Sequence, residues 1–418
     1  MTQMIKNYIL KKIICYSVFL LTLSLFSCSS NKGEVGAGGV EVVDIEASIN
    51  NFSIVKLSDY ASDIRYIPLE TSDSILIGGI SNVMYERETI YILDHSGKIH
   101  LFDKTGRYQK SFSRKGRGPG EYSEAFSIKV NPDNGDLFIL DAWRGILRYD
   151  NNFNFINMYP FPGKGIGAPA VEIVGEELIA VSMASFIDFG YSLVCYGRDT
   201  ADIVYKKEAI LTHDPTKRAV LRFLYYSIYK LGDQLRYYDS SKDSIFSLSH
   251  DFQDKAFYYI RLGKFREPEN ISSDDYGSYE PKIITPLTYF ESDRLLFMSF
   301  ILRGLCREPI EMKGKSHDGT ESVSYSTADY AIYDKQKKVV KFLLHPEKDI
   351  HGMEEDILGG KPFWPNFVNS KKVFVSYENA LDLINYFEKY PPKTKELKEL
   401  SATLKEDSNP IIILATSK

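Results

Sequence analysis

The chain has 418 residues, with 51 Lys and Arg against 56 Asp and Glu and a formal charge of −5, too mild for a broad basic face that would hold nucleic acid. Its 29 Tyr and 25 Phe are an aromatic load suited to sheets packed face to face, and convincing amphipathic helices are few before residue 374. Once a leader is removed, that length and composition favour one large all-β domain over two small ones.

Lys6, Lys11 and Lys12 precede the apolar run from Ile13 to Phe26, which ends in small residues and reads as a secretion signal over 1–27. Its end, Leu25-Phe26-Ser27-Cys28, resembles the lipobox of bacterial lipoproteins, which implies a lipid on Cys28 and a chain held at a bacterial outer membrane. An ordinary signal peptide, or an N-terminal anchor helix, with an incidental cysteine is the alternative. Ser29 to Val40 reads as a flexible tether, the linker as a whole is assigned to 28–58, and the folded body to 59–418. Which side of the membrane the body occupies is left open by the sequence.

The segment from Tyr60 to Glu70 alternates apolar and polar residues and is placed to close a ring by joining the last sheet. Next, Tyr91-Ile92-Leu93-Asp94 returns as Phe138-Ile139-Leu140-Asp141, and Ile99 to Asp103 returns as Ile146 to Asp150, both at an offset of 47 positions. A strand-rich repeat of this length is the signature of a propeller blade, because a lone four-stranded sheet cannot cover both of its faces. First and second blades are expected over about 78–112 and 127–160, a third over 170–211 and a fourth over 223–262. A fifth has strands Leu287 to Phe290, Arg294 to Leu302, Tyr330 to Asp334 and Val339 to Leu344, with a polar loop from Gly314 to Ser326. The sixth combines Val373 to Tyr377, two short helices over 380–390 and 394–404, and a last strand, Ile411 to Ala415.

The Gly116 to Tyr122 loop, Asp243-Ser244-Ile245-Phe246, Gly359 to Pro365 and Asp407-Ser408-Asn409-Pro410 together resemble the six-bladed β-propeller lipoproteins of Bacteroidota, and the first two blades resemble NHL repeats. The resemblance covers nearly the whole mature chain. It implies a six-bladed propeller of four-stranded antiparallel blades on a lipid anchor, in a family without a generally established activity, and it supplies no catalytic motif.

Chemistry is sparse. None of the seven histidines (His95, His100, His213, His250, His317, His345, His351) forms an H-x-x-H or H-E-x-x-H pattern, and no cysteine pair has zinc spacing, so no metal or other cofactor is assigned. Cys195 and Cys306 are expected as two buried thiols. The recurrence of Asp94, Asp103, Asp141 and Asp150 argues for turn bonding, since a catalytic pair need not recur in each blade. Candidate ligand-binding residues are Arg114, Arg117, Glu121 and Tyr122 beside Lys115, Trp143 and Arg144 at the matching turn of the second blade, and Trp364. Arginine forks grip carboxylates and aromatic planes stack on sugars, so the expected ligand is a glycan, a peptide or a partner protein. The competing reading is that Arg117 and Glu121 staple the loop, Trp143 packs between blades, and Trp364 wedges the last blade against the first. A channel enzyme of the lyase or hydrolase type is the functional alternative, requiring titratable groups from different blades to converge on the axis. A structural subunit of an envelope complex is the third.

Overall fold

The computed structural model describes residues 39–141, 143–162, 170–175, 178–182, 191–208, 227–267, 282–307, 309–315, 321–345 and 350–418. The signal, Cys28, His213 and His317 lie outside them.

Among these residues, six sheets of four or five strands and one two-stranded hairpin follow each other along the chain. Their first strands are Ile80–Glu86, Ala125–Val130, Ala170–Val174, Ile228–Leu231, Ile283–Glu291 and Phe367–Val368. Each touches the next, and the sixth sheet returns to the first through Val373–Glu378, so the order is cyclic. The fold is therefore an all-β, mostly antiparallel propeller. The repeat is structural as well as sequential. Leu93 faces Asn82 in the first sheet as Leu140 faces Ser127 in the second, and a register shift follows Ile80 as it follows Ala125.

Alternation along the strands puts apolar side chains on both faces, and each face is buried against the neighbouring sheet. Val83, Ile92, Ile412 and Leu414 fill the space between the sixth and first sheets. Leu93, Ile128, Ile139 and Leu147 fill the next. Comparable cores lie in the remaining gaps. Helices Ala380–Lys389 and Lys395–Thr403 cover the sixth sheet with buried Leu383, Phe387, Leu397 and Leu400.

The sheets are not uniformly four-stranded and antiparallel, and residues 41–58, expected as part of the linker, enter the fold. Glu41–Asp44 runs parallel to Asp254–Arg261 as a fifth strand of the fourth sheet. Phe52–Ser53 does the same beside Val339–Leu343 of the fifth. Ala61–Pro68 then pairs antiparallel with Ile411–Ser417, as the closing strand of the sixth. The N-terminal segment is thus a belt across three successive sheet edges. Val43, Ile45 and Leu57 are fully buried, Asp44 accepts the Ala47 N–H at 2.9 Å and Arg261 at 2.8 Å, and Glu41 meets Lys338 at 2.6 Å. An extended edge strand otherwise offers unpaired backbone groups, and the belt covers two of them. Of the segment read as a polar loop, 314–326, residues 314–315 and 321–326 lie instead in paired strands, Ile310–Lys315 and Glu321–Ser326.

If the belt is part of the fold, Ile45→Ala and Leu57→Ala each cost about 2–5 kcal/mol in urea unfolding, and a chain starting at residue 59 unfolds at lower urea than one starting at residue 40. Unchanged midpoints would return 41–58 to the status of a tether.

Candidate functional site

A cavity of about 1150 Å³ runs along the axis and is lined from all six sheets, represented by Glu86, Lys129, Glu172, Tyr229, Glu291 and Asn369. That exceeds the usual range of small-molecule pockets, and several polar groups converge on it. Many of them stitch one sheet to the next. Asn82 Oδ1 accepts the Ile128 N–H at 3.2 Å, Lys129 Nζ reaches Glu172 at 2.5 Å, Tyr229 donates to Glu291 at 2.7 Å and Asn369 donates to the Tyr85 carbonyl at 3.1 Å. Glu86, at the end of its strand, accepts from the Ser370 N–H at 3.0 Å and the Ser370 hydroxyl at 2.6 Å.

The lining carries Glu86, Asp133, Glu172, Asp233, Glu291 and Asp293 against Lys129, Lys230 and Lys372, an excess of negative charge. Asp133, Asp233 and Asp293 sit in turns between first and second strands, at the mouth where the inner strands end; Lys371 and Lys372 occupy the matching turn of the sixth sheet, and Lys372 pairs with Asp293. Burial pushes the Glu86 carboxyl above the ordinary glutamate value. Ser370 and the charge of Lys129 oppose that rise, and the charge of Glu172 adds to it.

None of the seven candidate binding residues lines this cavity. Crossovers between sheets and turns between second and third strands lie at the end opposite that mouth, and the Gly116 to Tyr122 loop and Trp143 are there. The loop is held from within. Glu121 accepts the Gly118 N–H at 2.8 Å, and buried Tyr122 donates to the Gly97 carbonyl at 2.6 Å. Arg144 donates to the carbonyls of Gly118 and Glu121. Gly120 needs φ +66, and a Cβ there would meet the Phe155 ring at 2.6 Å. Arg114, Lys115 and Arg117 are exposed, as is Trp143 at 56%, whose indole donates to Glu124 at 3.0 Å. So Glu121 staples the loop through a backbone amide and not through Arg117, and Trp143 does not pack between sheets. Trp364 is half-buried, stacked on Tyr330 at 4.3 Å and edge-on to Phe297 at 5.4 Å, and wedges against the fifth sheet rather than the first.

The recurrent aspartates hold turns. Asp94 accepts from the Ser96 and Lys98 amides, Asp141 from those of Trp143 and Arg144, and Asp239 and Asp334 do the same in later sheets. Cys195 and Cys306 form no disulfide. Burial pushes the Cys195 thiol up to about 12, whereas Cys306 is only half-buried, contrary to expectation.

Asp329, His345 and His351 bring potential metal-ligating atoms within 4.8 Å of one another, a grouping that a five-residue gap between the histidines does not advertise. The geometry suits a structural pin better than a metal. His345 Nδ1 accepts the Gly352 N–H at 3.1 Å, so in the neutral ring Nε2 carries the proton and donates it to Asp329 at 2.9 Å. A metal on Nε2 would require that proton on Nδ1, facing another donor. The two imidazoles are also stacked at 3.9 Å and 5°, so their in-plane lone pairs run parallel instead of meeting.

A closed ring of sheets with a polar axial cavity defines the class, a β-propeller. The chain belongs to the family described as Domain of unknown function (DUF4934), whose pattern matches residues 40–416. Among solved structures, a Bacteroides fragilis protein assigned as exported is similar with a TM-score of 0.61 at 16% identity, covering 90% of this chain and 99% of that one. A DUF4221 member from Bacteroides vulgatus gives 0.47 at 10% identity, covering 86% and 97%. Virginiamycin B lyase from Staphylococcus aureus gives 0.41 at 9%, covering 84% and 99%. No curated protein matches the chain.

Because the folded state raises the Glu86 pKa, it holds the proton more tightly than the unfolded chain, and this group's contribution to stability falls as pH rises from about 4.5 through the raised value. Glu86→Gln removes that dependence. Its stability relative to the parent should grow across that window and then level off, in urea unfolding from pH 4 to 7.5. A difference that is flat or shrinks with pH would contradict the assignment.

Proposed function

We propose that this is a lipid-anchored, six-bladed propeller of the bacterial envelope that binds a ligand, a glycan or a peptide, in its axial cavity. The blade count rests on the cyclic contacts of the six inner strands. The observation that carries the binding reading is the cavity itself: about 1150 Å³, with polar side chains reaching it from every sheet. The exposed Phe126, at 50%, adds an apolar face to its lining, as sugar rings and peptide side chains require. The anchor reading is supported by the order of Lys6, Lys11 and Lys12, the apolar run and Cys28.

A second reading, an enzyme, is favoured by one observation. Glu86, Lys129 and Glu172 come from three different sheets and act on one another electrostatically. Buried groups so coupled can exchange protons with a substrate.

Binding is checked by screening glycans and peptides against the protein and against Ser127→Trp, which fills the cavity from the second sheet. A retained unfolding midpoint shows that the variant is folded. The expected result is a ligand whose affinity falls at least about tenfold in the variant. A ligand bound equally by both would place the site elsewhere, and product release would turn the reading to the enzyme. For the anchor, Cys28→Ser should move the chain from the membrane fraction to the soluble fraction and abolish incorporation of labelled palmitate. Unchanged fractionation and labelling would contradict it.

A further inference from the structure

The axial cavity is unequal in its charges, and the inequality has an address. Glu172 is matched by Lys129 at 2.5 Å, and Glu291 by Lys335 at 2.6 Å, together with the Tyr229 hydroxyl. Glu86 has no such partner. Among the described residues, its carboxylate accepts only from the neutral amide and hydroxyl of Ser370, and no lysine or arginine bonds it. It is nevertheless 95% buried, in a cavity whose mouth carries further carboxylates at Asp133 and Asp233. An ionised carboxylate has about four acceptor positions, so Glu86 retains capacity for donors that this chain does not supply. Lys129 acts on Glu86 only through its charge and is bonded to Glu172, and a buried carboxylate with no bonded counter-ion is costly, which makes an incoming cation at this point more valuable than one on the surface.

We propose that the axial cavity seats a ligand bearing a primary ammonium group, with Glu86 as its counter-ion. This rests on the reading of the cavity as the binding site and names the ligand chemistry. The alternatives among cations fit less well. A guanidinium would have to lay its planar fork on the one lone pair left on each oxygen, beside the Ser370 donors already there. A calcium ion takes six to eight oxygen ligands, whereas Glu172 and Glu291 are engaged by lysines. An ammonium is compact, carries three donors, and needs only the unused lone pairs. The lining as a whole carries six carboxylates against three lysines, an excess that favours a cation over an anion in the cavity. The loop near Trp143, whose arginines would grip carboxylates, lies at the opposite end, so the axial cavity takes a ligand group of the other charge.

The test is calorimetry on the full chain with two matched pairs of probes: the glucosamine trisaccharide and its fully N-acetylated form, and trilysine and its Nε-acetylated form. Each pair keeps shape and removes charge. The proposal expects at least one ammonium probe to bind at least about tenfold more tightly than its acetylated partner. Glu86→Gln should remove that preference while changing affinity for the acetylated probe less than about twofold, a readout that loss of folding would not give. Which pair responds tells an amino sugar from a peptide. Equal or tighter binding of the acetylated forms, a preference that survives in Glu86→Gln, or no binding of either ammonium probe at millimolar concentration would overturn it. If an acetylated probe binds and Ser127→Trp weakens it, the cavity remains the site and only the ammonium assignment falls. If a probe binds and Ser127→Trp leaves its affinity unchanged, the cavity reading falls as well.

Discussion

A radially placed sheet has two apolar faces and no water-tolerant side, so each must be covered by another sheet. The cores between successive sheets, from the Val83 and Ile412 gap round to the Tyr229 and Leu296 gap, follow from that requirement. The remaining features are consequences of it. Strand edges are left at the rim and at the axis, where no further sheet fits. The rim is partly closed by the N-terminal belt, whose strands at Glu41–Asp44 and Phe52–Ser53 take the outer edges of the fourth and fifth sheets. At the axis the edges cannot pair with one another, and they surround the cavity.

This geometry separates two kinds of polar residue. Those at crossovers and turns hold the chain's own backbone: Asp94 and Asp141 on turn amides, Arg144 and Glu121 on the Gly116 to Tyr122 loop, His345 between Gly352 and Asp329. Those on the inner strands face the cavity, and most serve as bridges between sheets. Glu86 stands apart because its partners are neutral and its burial opposes its charge. A fold that keeps a carboxylate under such conditions forgoes some stability, which is common where a group is retained for binding.

The architecture was legible where chemistry repeats. The 47-residue offset that joins Leu93 to Leu140 in sequence also joins them in register, down to the matching shifts after Ile80 and Ala125. Asp94 and Asp141 could be assigned to turns because they recur. The belt was not legible, because Val42, Val43 and Ile45 follow a glycine-rich stretch and belong to no repeat; their partners are more than 200 positions away. The cavity residues were missed for a related reason. Lys129 between Ile128 and Val130, and Glu172 between Val171 and Ile173, look like the solvent side of a half-buried strand. Only the ring turns that side toward the axis. Conversely, the glycine-rich loop with its arginines and aromatics drew attention by composition, yet Tyr122 and Arg144 are occupied in holding it together. Trp364 was ambiguous in sequence, because nothing in its proline-flanked stretch names Tyr330, the fifth-sheet residue on which it stacks.

The proposed meeting place of ligand and protein is the axis. The most direct measurement is a crystal structure of the protein grown with a ligand taken from its own binding screen. Ligand density is expected between the inner strands, within hydrogen-bonding distance of Glu86. Density instead on the face bearing Arg117 and Trp143, with the axial cavity holding only solvent, would contradict it.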